Sequence, residues 1–424
     1  MQFLKAKFKE ALRKTEHYTK TDMVYLTREG FWSLLGQVIG SACSFLVAVL
    51  LANILSKESF GEYRFVLSMI PVLALFALPG INTAFVRSVA RGNGTDLPKM
   101  VNTEIRWGFL GSLVALLIAS YYFLNGDTGF FFALVLTAVF LPFLEPFSIY
   151  AAYYKGKQNF KTPMIYESAS RVFQTVALIV VGLITKSVPA LVGAFLVGQI
   201  VARLFFYIKT LRNEKLSASR ESTDENQSDD TIKYGKQLTA TQIVGTVTGS
   251  IDKLVVGYFL GPEILAIYYV ALAIPKNIVL MFNVVPRIAF PRFSKNTWEP
   301  RERARIIYKL LVFLGALIVP ALLYFFLIPF ALPLVFKDYG ASIPAALILS
   351  ALILLSPLNA TIGQVLQARK LVKNMIFLQV IALAAFVAAF LVMYQRFGAS
   401  PIDAAAAIIA SEAVLLFAGM FFIK

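Results

Sequence analysis

Long apolar runs separated by short polar connections recur along the whole chain. Twelve of them are long enough to cross a hydrocarbon layer as helices. They fall at 30–52, 64–86, 106–124, 130–150, 165–184, 189–209, 237–260, 264–290, 307–328, 343–366, 374–394 and 401–423. Leu, Val, Ile, Phe and Ala fill these runs without strict alternation, which predicts helices rather than the alternating strands of a membrane barrel. The expected class is an all-α polytopic membrane protein with about twelve transmembrane helices.

The pattern also repeats on a longer scale. Moved back by 205 positions, Gly245 falls on Gly40, Leu260 on Leu55, Glu263 on Glu58 and Tyr268 on Tyr63. Leu272 likewise falls on Leu67, Phe290 on Phe85 and Arg292 on Arg87, and Pro275 lies one step from the partner of Pro71. Two related six-helix lobes follow, joined by a pseudo-two-fold axis, each supplying one side of a shared central cavity. Helix-breaking residues cluster in corresponding spans: Pro71, Pro79 and Gly80 in the second, Pro275 and Pro286 in the eighth. Each proline removes a backbone bond and promotes bending, and broken helices in matching places mark the site-bearing, moving parts of a transporter.

Polar segments divide the chain. Residues 1–29 form a basic tail, with Phe3, Leu4, Phe8, Ala11 and Leu12 spaced for a short interfacial helix as well as for a solvated strand of chain. The N-lobe covers 30–210, and 211–233 is an acidic linker that carries too little apolar surface to fold. The C-lobe covers 234–424.

Composition agrees with this picture: 58% of residues are hydrophobic, 15% are charged, and the mean hydropathy is +0.71. A formal charge of +16 invites a nucleic-acid reading. Its distribution excludes that. With the N-terminus inside, thirty of the forty Lys and Arg fall on inner connections and five on outer ones, Lys57, Arg64, Lys186, Lys337 and Arg396. This is a positive-inside bias, with both termini cytoplasmic. One cysteine, Cys43, and one histidine, His17 in the tail, leave no disulfide, no His/Cys metal cluster and no embedded His-based chemistry. Tyr234-Gly235-Lys236 lacks the upstream glycine of a nucleotide-binding loop, so no cofactor is expected.

What remains is a set of charges at membrane depth, where an ionised side chain costs on the order of 3 kcal/mol or more. Five are basic: Arg171, Arg203, Lys253, Lys276 and Arg287. Lys276, beside Pro275 in the middle of its span, suits an anionic head group, or a pairing with Asp252 that ties two helices together. Lys253 and Asp252 are neighbours in sequence, about 100° apart on a helix, and are expected to meet different partners. Arg171 lies one turn beyond Glu167, an ion-pair spacing, and Arg203 one turn beyond Gln199. A guanidinium fork fits phosphate oxygens, but each Arg could equally snorkel to the interface, Arg287 included. Glu145, Asp252 and Glu412 are candidates for carrying a proton or ion, or for structural hydrogen bonding. Gln37, Asn82, Gln242, Asn277, Asn283 and Asn359 either line a polar cavity or bind helix to helix.

Several stretches carry a family resemblance. Phe31-Trp32-Ser33-Leu34-Leu35-Gly36-Gln37, then Leu51-Ala52-Asn53-Ile54-Leu55-Ser56-Lys57-Glu58-Ser59-Phe60-Gly61-Glu62-Tyr63, resemble the start of Wzx-type polysaccharide and O-antigen flippases. Tyr154-Lys155-Gly156-Lys157-Gln158-Asn159-Phe160, Asp252-Lys253-Leu254-Val255-Val256-Gly257-Tyr258-Phe259-Leu260-Gly261 and Leu332-Pro333-Leu334-Val335-Phe336-Lys337-Asp338-Tyr339 are similar too. These flippases belong to the multidrug/oligosaccharidyl-lipid/polysaccharide (MOP) exporter superfamily. The resemblance implies movement of an undecaprenyl-diphosphate-linked oligosaccharide from the inner to the outer leaflet of a bacterial cytoplasmic membrane. It also implies alternating access, coupling to H+ or Na+, contact with polysaccharide polymerase machinery, and no enzymatic activity. Twelve spans rather than fourteen set the chain apart from the lipid II branch, and its first span holds no arginine. Two rivals stand beside this reading: a drug/cation antiporter of the same superfamily, which wants an acidic cavity, and a membrane polysaccharide polymerase or acyltransferase.

Overall fold

A computed structural model describes residues 23–92, 96–214, 225–284, 286, 300–369, 371–397 and 400–422. These residues form helices and connections, with no strand among them. The first half holds α1 (Met23–Ile54), α2 (Lys57–Leu73), α3 (Gly80–Ala90), α4 (Leu97–Leu124), α5 (Thr128–Leu144), α6 (Ile149–Gly156), α7 (Lys161–Ile184) and α8 (Val188–Asn213). The second holds α9 (Glu225–Thr248), α10 (Ile251–Phe259), α11 (Pro262–Phe282), α12 (Pro300–Val335), α13 (Ile343–Leu349), α14 (Ala351–Ala368), α15 (Val372–Phe397) and α16 (Pro401–Phe422). Among the described residues eleven helical segments are long and apolar enough to span a membrane. The surface is that of a protein bathed in lipid: α12 alone exposes Leu311, Val319, Leu322, Phe326, Phe330 and Leu334. No water-facing helix could carry that many bare apolar side chains.

The internal repeat is visible in the helix ends. α1 stops at Ile54 and α10 at Phe259, while α2 starts at Lys57 and α11 at Pro262; both pairs lie 205 positions apart. Glu58 and Glu263 each sit in the first turn of their helix, where the positive end of the helix dipole favours a carboxylate. Tyr63 and Tyr268, the repeat's other landmark, are both fully buried.

Several expected spans are broken. The seventh, read as one helix over 237–260, starts at Glu225 and stops at Thr248, turns at Gly249 and Ser250, then resumes as α10. α9 brings Thr239, Thr241, Gln242, Thr246 and Thr248 into this span, which explains why it is less apolar than the eleven. Its early start also makes helix of 225–233, the second part of the expected linker; residues 215–224, like the basic tail to residue 22, lie outside the described residues. The second span passes through Pro71 and then breaks: Ala74–Ala77 is a 3-10 turn, Leu78 is left-handed with φ 59°, and α3 restarts after Pro79. The fourth breaks at Glu145, where the 3-10 turn Pro146–Ser148 precedes α6.

α2 and α3 form the seam between the lobes. At one end, Gly61 meets the backbone of Pro262 so closely that a Cβ would run into its carbonyl. Near it, Asn53 donates to the Val335 carbonyl (2.8 Å) and accepts from the Lys337 amide (3.1 Å). At the other end, the Gly80 amide, orphaned at the start of α3, donates to the Thr239 hydroxyl (3.0 Å), which donates in turn to the Gly235 carbonyl (3.0 Å). Gly80 too has no space for a side chain.

A branched side chain at Gly61 must push α2 off α11. Gly61→Val is therefore expected to cost about 1–3 kcal/mol, the usual range for overpacking, read as a lower melting temperature of the detergent-solubilised protein. An unchanged melting temperature would contradict this contact.

Candidate functional site

A cavity of about 250 Å³ lies between the lobes, walled by α1 and α7 on one side and α11 on the other. α1 contributes Gln37, Gly40, Ser41, Ser44, Phe45 and Ala48; α11 contributes Tyr269, Leu272, Ala273, Lys276, Asn277 and Leu280. From α7 comes Arg171, whose side chain passes over Gly40; a Cβ there would approach the guanidinium Nη1 to 3.1 Å. Small residues on α1 thus let a long cation from the next helix reach the hollow. On α11, Pro275 leaves the Ala271 carbonyl without its usual donor, and the Asn277 amide turns back to the Ala273 carbonyl (2.7 Å). Lys276 follows Pro275 directly and lines the cavity.

Two positive charges face the cavity and no carboxylate lines it. Among the described residues neither Arg171 nor Lys276 makes an ion pair. The spacing of Glu167 and Arg171 suggests an ion pair, but Glu167 meets the Lys155 ammonium instead, at 3.5 Å. An unpaired cation at this depth is tolerable where water or an anion reaches it. The arrangement can hold an anion.

Asp252 and Lys253 stand close enough to Lys276 for their charges to act on it, and the remaining predicted residues lie elsewhere. Asp252 and Lys253, expected to find separate partners, pair with each other at 2.7 Å. The break at Gly249 and Ser250 explains this: the Lys253 ammonium folds back to the Gly249 carbonyl (3.2 Å), which brings it beside the Asp252 carboxylate. The Tyr268 hydroxyl donates to the second Asp252 oxygen (3.0 Å), and the pair is only 4% and 9% exposed. Arg203 binds the Leu144 carbonyl and the Glu145 carboxylate (3.2 Å), so it caps the broken end of α5. Glu412 accepts from the Asn359 amide across α14 and α16. Arg287 lies outside the described residues.

Two charged groups were missed from the sequence. Arg64 is no outer connection: it sits inside α2, 9% exposed, with its guanidinium 4.0 Å from the Tyr269 ring and 5.0 Å from the Phe60 ring. Its Nε and Nη2 have no hydrogen-bond partner. The surrounding rings offset part of a cation's desolvation. Tyr269 also lines the cavity, so it stands between the cavity and Arg64. The second is Glu104, fully buried on α4 with both carboxyl oxygens unpartnered. The signal for both was available: each lies within a turn or two of a run's edge, where α2 and α4 begin earlier than hydropathy alone suggests.

Comparison with known proteins agrees with the fold. A family model described as "Polysaccharide biosynthesis protein" matches residues 50–342. The lipopolysaccharide biosynthesis protein WzxC of Escherichia coli (strain K12) is 24% identical over 353 residues, 80% of this chain and 69% of that one. The teichuronic acid biosynthesis protein TuaB of Bacillus subtilis (strain 168) is 37% identical over 71 residues, a match that spans 16% of this chain and only 15% of that protein. Among solved structures, the lipid II flippase MurJ in an inward closed conformation superposes with a TM-score of 0.69 at 14% identity, covering 94% of this chain and 87% of that one.

The Asp252–Lys253 pair generates a stability prediction. Lys253→Ala removes the hydrogen-bonded cation from a buried carboxylate, leaving it Tyr268 and the more distant Lys276 charge, and should cost about 3–5 kcal/mol, measured as a fall in melting temperature. The neutral double variant Asp252→Asn/Lys253→Met should cost clearly less. Equal losses for the two would mean that the pair is not buried as a unit.

Proposed function

The chain belongs to the family of polysaccharide biosynthesis proteins, and we propose that it carries a lipid-linked glycan across the membrane by alternating access. The observation that supports this best is the cavity between the lobes, with Arg171 and Lys276 on its walls and no carboxylate. The proposed substrate is an undecaprenyl-diphosphate-linked oligosaccharide. Its diphosphate would sit against the Lys276 ammonium and the Arg171 fork, with glycan in the wet hollow and the polyprenyl tail in lipid between the lobes. A unit charge about 4 Å from its counter-charge gains roughly 4 kcal/mol at an effective dielectric of about 20. Two such contacts are enough to hold a head group without locking it in place.

Of the five embedded cations read as substrate ligands, this reading keeps Arg171 and Lys276 in that role. Lys253 and Arg203 are engaged by Asp252 and Glu145 and act as supports in this conformation. The lobes, 30–210 and 234–424, would rock about the α2–α3 seam. The lobes are in contact both where Gly61 meets Pro262 and where Gly80 meets Gly235, and the cavity is lined by the middle of α1, from Gln37 to Ala48.

A drug/cation antiporter would attract cations and is disfavoured by a positively lined cavity. No constellation of side chains in the cavity suits a polymerase or acyltransferase.

Lys276→Ala is expected to abolish glycan export, scored by surface-glycan staining of a deletion strain, while the protein reaches the membrane in normal amount. Lys276→Arg should retain most of the export. Normal export by Lys276→Ala would remove this residue from the site.

A further inference from the structure

A second hollow, also of about 250 Å³, shares no residue with the cavity described above and lies where α3 ends and α9 starts. Each lobe supplies one wall. Arg87 and Ser88 of α3 and its cap Arg91 face Asp230, Thr231 and Tyr234 of α9, and both sets have the i, i+1, i+4 spacing of one helix face. The Lys99 ammonium on α4 takes up Asp229 (2.9 Å), which pins the start of α9 and leaves Asp230 to the hollow. The Arg87 guanidinium stands 5.0 Å from the Tyr234 ring. Among the described residues Arg87, Arg91 and Asp230 make no ion pair, although all three border one space. Ser88 is only 6% exposed, and its hydroxyl has no hydrogen-bond partner.

Aromatic residues fix the depth of this hollow. Trp107 of α4 is exposed, with the Lys236 ammonium 4.8 Å from its ring. An indole beside an ammonium belongs at the boundary between hydrocarbon and water, where its amphipathic ring is best accommodated. Lys236 lies two residues beyond Tyr234 on α9 and six beyond Asp230. At about 1.5 Å of rise per residue, the second-lobe wall is within about 9 Å of that boundary. The head-group layer of a bilayer is itself roughly 5–8 Å thick. The hollow therefore sits beside lipid head groups and not beside acyl chains.

Two guanidiniums and one carboxylate around a single space suit a ligand that carries both signs. The arginine forks match phosphate oxygens, and the Ser88 hydroxyl offers one more donor. Asp230 would repel a ligand with a second negative charge, but it can accept from an ammonium. We infer that this hollow binds a phosphoethanolamine head group, its phosphate against Arg87 and Arg91 and its ammonium against Asp230. At this depth the source of that chemistry is a phospholipid, phosphatidylethanolamine. A bound head group ties α3 of the first lobe to α9 of the second. It thereby favours the arrangement in which Gly80 and Gly235 close the seam. The site stands apart from the cargo, and it holds whether or not the chain moves a glycan.

The test is native mass spectrometry of full-length protein in an uncharged detergent, titrated with phosphatidylethanolamine and phosphatidylglycerol of identical chains. Arg87, Arg91 and Asp230 are all exposed, so removing their charges leaves the fold intact. Wild type should bind the ethanolamine lipid about tenfold more tightly than the glycerol lipid, the worth of one charge-assisted hydrogen bond. Arg87→Gln/Arg91→Gln should lose about tenfold or more in affinity for the ethanolamine lipid. Asp230→Asn should erase the preference between the two lipids, a change of selectivity that a merely structural aspartate would not produce. Equal affinity of wild type for both lipids overturns the assignment of the head group. Ethanolamine-lipid binding that is unchanged in the double arginine variant overturns the site. In a second arm, soluble glycerophosphoethanolamine competes with the lipid at equal concentration. No displacement is expected, and full displacement overturns the lipid source.

Discussion

A charge in a medium of low dielectric needs a counter-charge, a hydrogen-bond partner or water, and this constraint sorts the described cationic side chains inside the bundle. Lys253 has Asp252, and Arg203 has Glu145. Arg64 has only aromatic faces. Among the described residues Arg171 and Lys276 make no ion pair, although the Asp252 charge reaches Lys276 from a distance, and both border the cavity. The hollow is what makes their charges tolerable. Their charges in turn give it a preference for anions.

The backbone is arranged around the same hollow. α1 lends it small residues, so that Arg171 can cross over Gly40 from the neighbouring helix. α11 carries Pro275, which has no amide to give the Ala271 carbonyl, one residue before Lys276. The seam that brings the two walls together is closed by glycines, Gly61 against Pro262 and Gly80 against Gly235, where backbone meets backbone. Contacts of this kind are short-range and few. They suit lobes that separate at one end while staying engaged at the other, in contrast to a broad interdigitated interface.

Much of the architecture was legible in the sequence because bilayer thickness fixes the length of an apolar run and the repeat fixes the pairing of runs. The 205-residue offset read from Glu58 and Glu263 recurs in the helix ends at Ile54 and Phe259. The breaks were harder. Gly249 and Ser250 lie inside an apolar stretch and carry no proline, so the turn between α9 and α10 left no strong local mark, yet it decides that Lys253 meets Asp252. Sequence also listed embedded charges without saying which were partnered. That depends on contacts between distant segments, such as Arg203 with the end of α5. Glu104 and Arg64 escaped because hydropathy trims the polar ends of a helix, and both lie in turns that packing, rather than composition, carries into the interior.

The most direct test of the account is competition for the cavity by two lipids that differ only in the head group. Purified full-length protein in nanodiscs would be titrated with undecaprenyl diphosphate and with undecaprenol, in wild type and in Arg171→Ala/Lys276→Ala. Binding governed by the two cavity cations predicts that the diphosphate binds wild type at least about tenfold more tightly than the alcohol, roughly 1.4 kcal/mol, and that the double variant loses this preference. Equal affinity of wild type for both lipids, or a preference that survives removal of both cations, would contradict it.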